Sequence, residues 1–331
     1  MFAPTLDQLL DTARAAARAG EWARVVEGLE GRELEASGEA MLLLAEGYRR
    51  LGQSGKAREW LGHVVPLLER RSDRAALRRA TNMLGAAAYA LGALEDAERA
   101  WSRALDFAET DADMLLFARA TNNLGILSNI RGQRDRALGL YRSAVPAYQQ
   151  LGNAVGLAET FHNIAITHRD LGELDEADEY ERRAIEFAGG AGNQRMVAVA
   201  RLGHVEITWR RGDAALAGAA ARRVADEFSR LSDPVPMADA YRLSGLARLA
   251  LGDTVDAEAD IRRALDLARE HGGALVEAES LHALAEVAMA RGDRALARLY
   301  AQEALAVYER MGDADDAVRL REWIAELEGG A

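Results

Sequence analysis

The chain has 331 residues, of which 49% are hydrophobic, and its formal net charge is −12. This much apolar surface excludes a wholly disordered chain, and the acidic balance argues against nucleic-acid binding, which needs a surplus of Lys and Arg. Cysteine is absent, so disulfides are excluded and the cytoplasm is the predicted compartment. Met1–Asp11 has no secretory pattern and no run of about 18 apolar residues occurs, so we predict no membrane insertion.

The first segment, residues 1–36, differs in its spacing from the rest of the chain. Gly20-Glu21-Trp22 forms a turn signal, and Gly20 lies 32 residues before Gly52, whereas later turns are 40 residues apart. We predict an irregular helical hairpin, because a terminal unit of a stacked array has one face without a neighbour.

From residue 37 onward a period of 40 residues is present. Glycine recurs at Gly52, Gly92, Gly132, Gly172, Gly212, Gly252 and Gly292, and five positions after each lie Ala57, Ala97, Ala137, Ala177, Ala217, Ala257 and Ala297. Midway between the glycines lie Ser72-Asp73, Ala112-Asp113, Gly152-Asn153, Gly192-Asn193, Ser232-Asp233, Gly272-Gly273 and Gly312-Asp313. A turn every 20 residues predicts helical hairpins over 37–72, 73–112, 113–152, 153–192, 193–232, 233–272 and 273–312.

The residue types at the turns support these boundaries. Glycine accepts the left-handed conformation that ends a helix, and Asp or Asn caps the start of the next one. Pro234 suits a first helical turn, whereas Pro66 and Pro146 fall inside second helices and predict local bends. The alanine column predicts a close approach between the two helices of each hairpin.

The last segment, 313–331, is predicted to be a single capping helix over Ala314–Glu328, with Trp323 and Ile324 facing the last hairpin. The predicted fold is therefore all-α, with about eight hairpins and a C-terminal helix forming one domain over 1–331.

One unit reads Leu84-Gly85, Gly92, Ala97, Trp101 and Ala104-Leu105, and other units repeat this pattern. The pattern resembles the tetratricopeptide repeat, in the long variety found in Pins-like and rapsyn-like scaffolds and in bacterial signalling regulators. The units are longer than the family's usual length of about 34 and lack its closing proline. The resemblance implies a right-handed solenoid whose first helices line a concave, peptide-binding groove.

The face of the first helices opposite the packed stripe is the implied groove. Its predicted binding residues are Arg79, Asn82, Met83, Tyr89, Arg119, Asn122, Asn123, Ile126, Asn129, His162, Asn163, Ile166, Arg169, Trp209, Arg242 and Leu246. The same face carries acidic residues in later units: Glu206, Asp239, Glu279 and Glu286.

Two groups on this face suggest how a ligand is held. Five mid-helix asparagines are able to bond the backbone of an extended peptide, or alternatively to bond between neighbouring helices. Arg79, Arg119 and Arg169 suit an acidic group or C-terminal carboxylate, or alternatively form internal ion pairs with residues such as Glu159. Trp209 is either a binding or a packing residue.

Sequence signals for catalysis are missing. Gly52-Gln53-Ser54-Gly55-Lys56 is too short between its glycines for a phosphate loop. His162 and His168 point to different faces, so no metal pair is expected. We predict no enzyme, no metal and no cofactor.

The predicted function is a cytoplasmic, bacterial scaffold or adaptor that binds a segment of a partner protein. The first alternative is a regulator that senses a ligand or signalling peptide, and the second is a structural assembly subunit that forms a homo-oligomer. Nucleic acid and membrane are not expected as partners.

Overall fold

The computed structural model describes residues 5–312 and 314–329, with the backbone alone at 314, 315, 328 and 329. This part of the chain is all-α and has no strand. Its helices are α1 (Leu6–Arg18), α2 (Trp22–Leu29), α3 (Gly38–Arg50), α4 (Ser54–Arg70), α5 (Arg74–Ala90), α6 (Leu94–Thr110), α7 (Met114–Ile130), α8 (Arg134–Gln150), α9 (Ala154–Asp170), α10 (Leu174–Gly190), α11 (Gln194–Arg210), α12 (Ala214–Arg230), α13 (Pro234–Ala250), α14 (Thr254–His271), α15 (Ala274–Ala290), α16 (Arg294–Met311) and α17 (Ala314–Gly329).

The predicted all-α fold of stacked hairpins is confirmed. Helices α5 to α13 have 17 residues each, as the 20-residue turn spacing requires. The first hairpin is irregular, because α2 has only 8 residues. All seven residues of the alanine column are fully buried, so a larger side chain has no room where the two helices of a hairpin meet.

The turns also follow the predicted chemistry. The glycines of the 40-residue series have φ between 71° and 88°. Asp73, Asn153 and Asn193 accept hydrogen bonds from the third backbone amide of the next helix, whereas Asp233 does not. Pro234 is the first residue of α13. Asp313 lies outside the described residues.

Three turns lack the glycine that their backbone favours. Ser72, Ala112 and Ser232 have φ of 55°, 52° and 53°, where Gly152 and Gly192 occupy the equivalent positions of other units. Since a left-handed conformation costs an L-residue about 1 kcal/mol, Ala112→Gly is expected to raise the free energy of unfolding by about that amount. Urea unfolding measures this, with Gly92→Ala as the control.

Gly92 has φ of 72° and nothing within 4 Å of an added Cβ, so its replacement tests backbone strain alone. We expect Gly92→Ala to lower the free energy of unfolding by about 1 kcal/mol. An Ala112→Gly variant less stable than the original chain would contradict the argument.

Several hairpins contain a socket, in which a large side chain of the second helix lies against a glycine of the first. An added Cβ on Gly85 would lie 2.5 Å from the Trp101 ring, and one on Gly125 would lie 2.5 Å from Tyr141. Trp101 also donates from Nε1 to the Asn82 backbone carbonyl at 3.1 Å. The small residue and the ring therefore specify how closely each pair of helices packs.

The backbone contacts divide the chain into two compact units. Unit 1 comprises 1–128 and 139–151, and unit 2 comprises 129–138 and 152–331. Each unit has its own apolar core, and in unit 2 Trp323 and Ile324 of α17 pack onto that core, as predicted. A single superhelix over 1–331 stays a prediction.

Candidate functional site

In unit 2 the first helices of successive hairpins lie closer together than the second helices. Cα atoms of α9 and α11, of α11 and α13, and of α13 and α15 approach within 8 Å. Within the described residues of unit 2, successive second helices make no such approach. The hairpins of this unit therefore curve towards their first helices, which is how repeat stacks form a concave surface.

The exposed side of α9, α11, α13 and α15, called the first-helix surface below, carries a ladder of ion pairs. Arg169 lies 2.9 Å from Asp170 and also pairs with Glu206, which lies 2.9 Å from Arg210. Further along, Arg242 pairs with two carboxylates. Its guanidinium lies 2.6 Å from Asp239 and 3.3 Å from Glu279. The ion-pair ladder is thus Asp170, Arg169, Glu206, Arg210, Arg242, Asp239 and Glu279.

The ladder is poorly accessible to water for a set of charges. The exposed fraction of the side chain is 8% for Arg242, 14% for Glu206 and 31% for Glu279. Burial opposes the charge of Arg242, but the nearby carboxylates more than offset this and raise its pKa. Burial likewise acts against ionised Glu206, yet Arg169, Arg242 and Arg210 lower its pKa on balance. These two groups are therefore charged.

Glu279 differs, because the charges around it do not compensate its burial. Burial raises the pKa of Glu279 to about 7, Arg242 opposes the rise, and Asp239 and Glu206 add to it. Glu286, two turns further along α15, also has a pKa raised by burial. Arg242 opposes the rise of both pKa values but does not outweigh the effect of burial.

The predicted binding residues in unit 2 do not all reach solvent. Asn129, His162, Asn163, Ile166 and Trp209 are half-buried and Arg169 belongs to the ladder, whereas Arg242 and Leu246 are buried. Nδ2 of Asn129 donates to Asp170 at 3.4 Å, which links α7 to the ladder. Arg169 is paired with Asp170 and Glu206, so it follows the alternative of internal ion pairing rather than that of a free cation for an acidic ligand.

In unit 1 the predicted residues are more dispersed. Arg79, Arg119 and Tyr89 are exposed, and Asn82, Met83, Asn123 and Ile126 are half-buried. Asn122 is buried, with 6% of its surface exposed. Nδ2 of Asn123 donates to Oδ1 of Asn82 at 3.5 Å, and the Tyr89 ring lies 5.8 Å from that of Trp101. Asn82 and Asn123 thus follow the alternative of bonding between neighbouring helices.

Some ladder residues were not among the predicted binding residues. Glu206, Asp239 and Glu279 lie on the face that the helical period selects, but the period does not show which charges pair. Asp170 and Arg210 lie at the ends of their helices, beyond the stripe used for the prediction. Asp170 and Arg210 are the last residues of their helices, where Ala90 and Ala250 lie in other units. This change from alanine to a charged residue was the sequence signal that could have identified them.

No cluster of His, Cys, Asp or Glu able to hold a metal is present among the described residues. None of the described helices is long and apolar enough to cross a membrane.

Comparisons with known proteins agree with this architecture. Family models described as tetratricopeptide repeat match residues 116–188 and 278–311. A search of curated proteins found no match.

Three solved structures illustrate the similarity of fold. A Rap protein complexed with Competence and Sporulation Factor has a TM-score of 0.65 at 13% identity, covering 89% of this chain and 88% of that one. The apo quorum sensor NprR from B. thuringiensis has a TM-score of 0.61 at 13% identity, covering 98% of both chains. The Cut9-Hcn1 APC/C hetero-tetramer has a TM-score of 0.63 at 17% identity, covering 96% of this chain and 56% of that one.

The 40-residue hairpins, their glycine sockets and these similarities point to one conclusion. The chain contains tetratricopeptide repeats, matched at residues 116–188 and 278–311, and has an all-α solenoid fold of the tetratricopeptide type.

Proposed function

We propose that the chain is a non-enzymatic binding module that captures a polypeptide segment of a partner on the first-helix surface of unit 2. The observation that carries the proposal is the ion-pair ladder. Burying charges is costly, and a buried ion pair is often replaceable by apolar residues without loss of stability. A row of charges kept along one face of the first helices is therefore better explained by recognition than by stability.

The charge distribution favours a basic segment as the ligand. All three arginines of the ladder, Arg169, Arg210 and Arg242, are already paired with carboxylates. Glu279 and Glu286 are desolvated without enough positive charge to compensate. A Lys or Arg side chain of a ligand supplies that charge, and binding it lowers the pKa of both carboxyls.

Labelled peptides of about 10 to 15 residues with basic, neutral or acidic composition test this proposal by fluorescence polarisation. We expect the basic peptides to bind most tightly, and Glu279→Gln/Glu286→Gln to weaken their binding at least about tenfold. The control is Glu176→Gln/Glu179→Gln, which removes the same charge from exposed positions of the second helix α10. Equal binding of acidic peptides, or unchanged affinity in the α15 variant, contradicts the proposal.

A regulator that senses its ligand is the second candidate. The quorum sensor NprR and the Rap protein seen with Competence and Sporulation Factor share the fold over most of both chains, which supports this candidate. Sensing predicts that the bound basic peptide changes the radius of gyration in small-angle X-ray scattering. An unchanged scattering profile at saturating peptide favours the adaptor.

A further inference from the structure

One buried carboxylate in unit 2 interrupts an otherwise apolar column. The second helices carry Leu61, Trp101, Tyr141, Ala221, Ile261 and Ala301 at intervals of 40 residues, and Glu181 of α10 stands at the same position. Only 1% of its surface is exposed. The binding role proposed above does not use this residue.

The carboxylate of Glu181 is bound by a histidine of the same hairpin. Nδ1 of His162, on α9, lies 2.9 Å from Oε1 and 3.1 Å from Oε2 of Glu181. His162 is itself half-buried, with 17% of its side chain exposed. One acid and one imidazole thus lie within hydrogen-bond distance inside the hairpin.

The first helix of the next hairpin, α11, has no side chain at the point where it meets this carboxylate. Gly203 of α11 faces the carboxylate so closely that an added Cβ would lie 2.0 Å from Oε1 of Glu181. Equivalent positions in other first helices carry a side chain in every case: Leu43, Met83, Asn123, Asn163, Leu243 and Ala283. The carboxylate therefore occupies the contact between α10 and α11, at a position that is apolar in the other second helices.

The other charged groups near Glu181 come from all three helices. Arg169 of α9 and His204 of α11 act on it electrostatically. Asp178 of α10 lies 2.5 Å from Nδ1 of His204 and is also paired with Arg182. Burial raises the pKa of Glu181, while His162, Arg169 and His204 act in the opposite direction.

We propose that the junction between α10 and α11 is a proton-operated switch: the His162–Glu181 pair holds a proton in the hairpin core, and its loss loosens the junction. Without that proton an ionised carboxylate remains buried between α10 and α11.

The direction of the pH dependence follows from the burial of Glu181. The folded chain binds this proton more tightly than the unfolded chain does, because its carboxyl pKa is raised. The stabilisation is complete below the ordinary carboxyl pKa of about 4.3. It is lost as the pH rises through the higher pKa of the folded state.

Hydrogen exchange of the full chain, followed by mass spectrometry from about pH 5 to about pH 8 and corrected for intrinsic exchange rates, tests the switch. We expect protection of α10 and α11 to fall at least about tenfold over this range. Glu181→Gln removes the titrating acid and is expected to abolish most of this fall.

His162→Leu/Glu181→Leu is a second variant that the chain itself suggests. Leu42 of α3 and Leu61 of α4 occupy the positions equivalent to His162 and Glu181, so the double variant reproduces this leucine pair. The spacing agrees, because Ala45 precedes Leu61 by 16 positions, as Ala165 precedes Glu181. We expect the double variant to fold and to show no fall in protection with pH, while the control His204→Asn retains the fall. A fall that persists in both Glu181 variants, or that is absent from the original chain, overturns the proposal.

Discussion

Replacing Arg242 by Met is expected to lower the free energy of unfolding by about 3–5 kcal/mol, the cost of breaking a buried ion pair from one side. Arg242 lies 2.6 Å from Asp239 and 3.3 Å from Glu279, and only 8% of its side chain is exposed. Methionine has a similar apolar stem, so the main loss is the charge. Two carboxylates then face each other without a cation. Urea unfolding at neutral pH measures the effect.

Protonation makes this loss depend on pH. In the original chain Glu279 already has a pKa of about 7, raised first by burial. Without Arg242 its pKa is expected to rise further, because the opposing charge is gone. The variant therefore keeps a neutral Glu279 at acidic pH, and its deficit in stability should shrink as the pH falls.

The matched control removes the stranded charges together with the cation. Asp239→Asn/Arg242→Met/Glu279→Gln replaces the three groups by neutral side chains of similar size. We expect its stability to lie within about 1 kcal/mol of the original chain, because apolar or neutral replacements of buried ion pairs are often tolerated. If the triple variant is as unstable as Arg242→Met, the loss comes from packing and not from charge.

Trp101→Ala is the second substitution with a large expected effect, a loss of about 3–5 kcal/mol. The indole is 2% exposed, lies against the backbone of Gly85 and donates to the Asn82 carbonyl. Its removal leaves a cavity between α5 and α6 that rigid helices do not fill. The loss is measured as a change in the free energy of urea unfolding.

The socket on the facing helix provides a coupling test. Gly85→Ala places a methyl group 2.5 Å from the indole and is expected to cost about 1–3 kcal/mol. Gly85→Ala/Trp101→Leu reproduces the Ala45 and Leu61 pair of α3 and α4. We expect the methyl group to cost less beside the smaller leucine side chain than beside the indole, giving a coupling energy of at least about 1 kcal/mol.

Gly139→Ala is the control for this cycle, because an added Cβ on Gly139 of α8 meets nothing within 4 Å. Its expected result is a gain of up to about 1 kcal/mol from helix propensity. Additive effects of Gly85→Ala and Trp101→Leu would show that glycine and ring do not form a socket.

The sequence alone determined the hairpins, because the signals for them are local. A left-handed glycine ends a helix through its own backbone freedom, and an Asp or Asn caps the next through its own side chain. Neither depends on distant contacts, so a 40-residue period was enough to predict the turns that bound α4 to α16. The alanine column likewise predicted the close approach within each hairpin. The assignment of the binding groove to one face of the first helices came only from the family resemblance.

Only the tertiary structure decided what that face contains. The sequence left Arg169 either as a cation for a ligand or as part of an internal ion pair, and the curvature of unit 2 brings Glu206 of the next first helix to it. The sequence analysis did not single out Glu181, which is buried because the missing side chain at Gly203 lets it pack against α11. Ion pairing and burial depend on distances between helices far apart in the chain. A periodic pattern states which face a residue occupies, but not which charge lies opposite it.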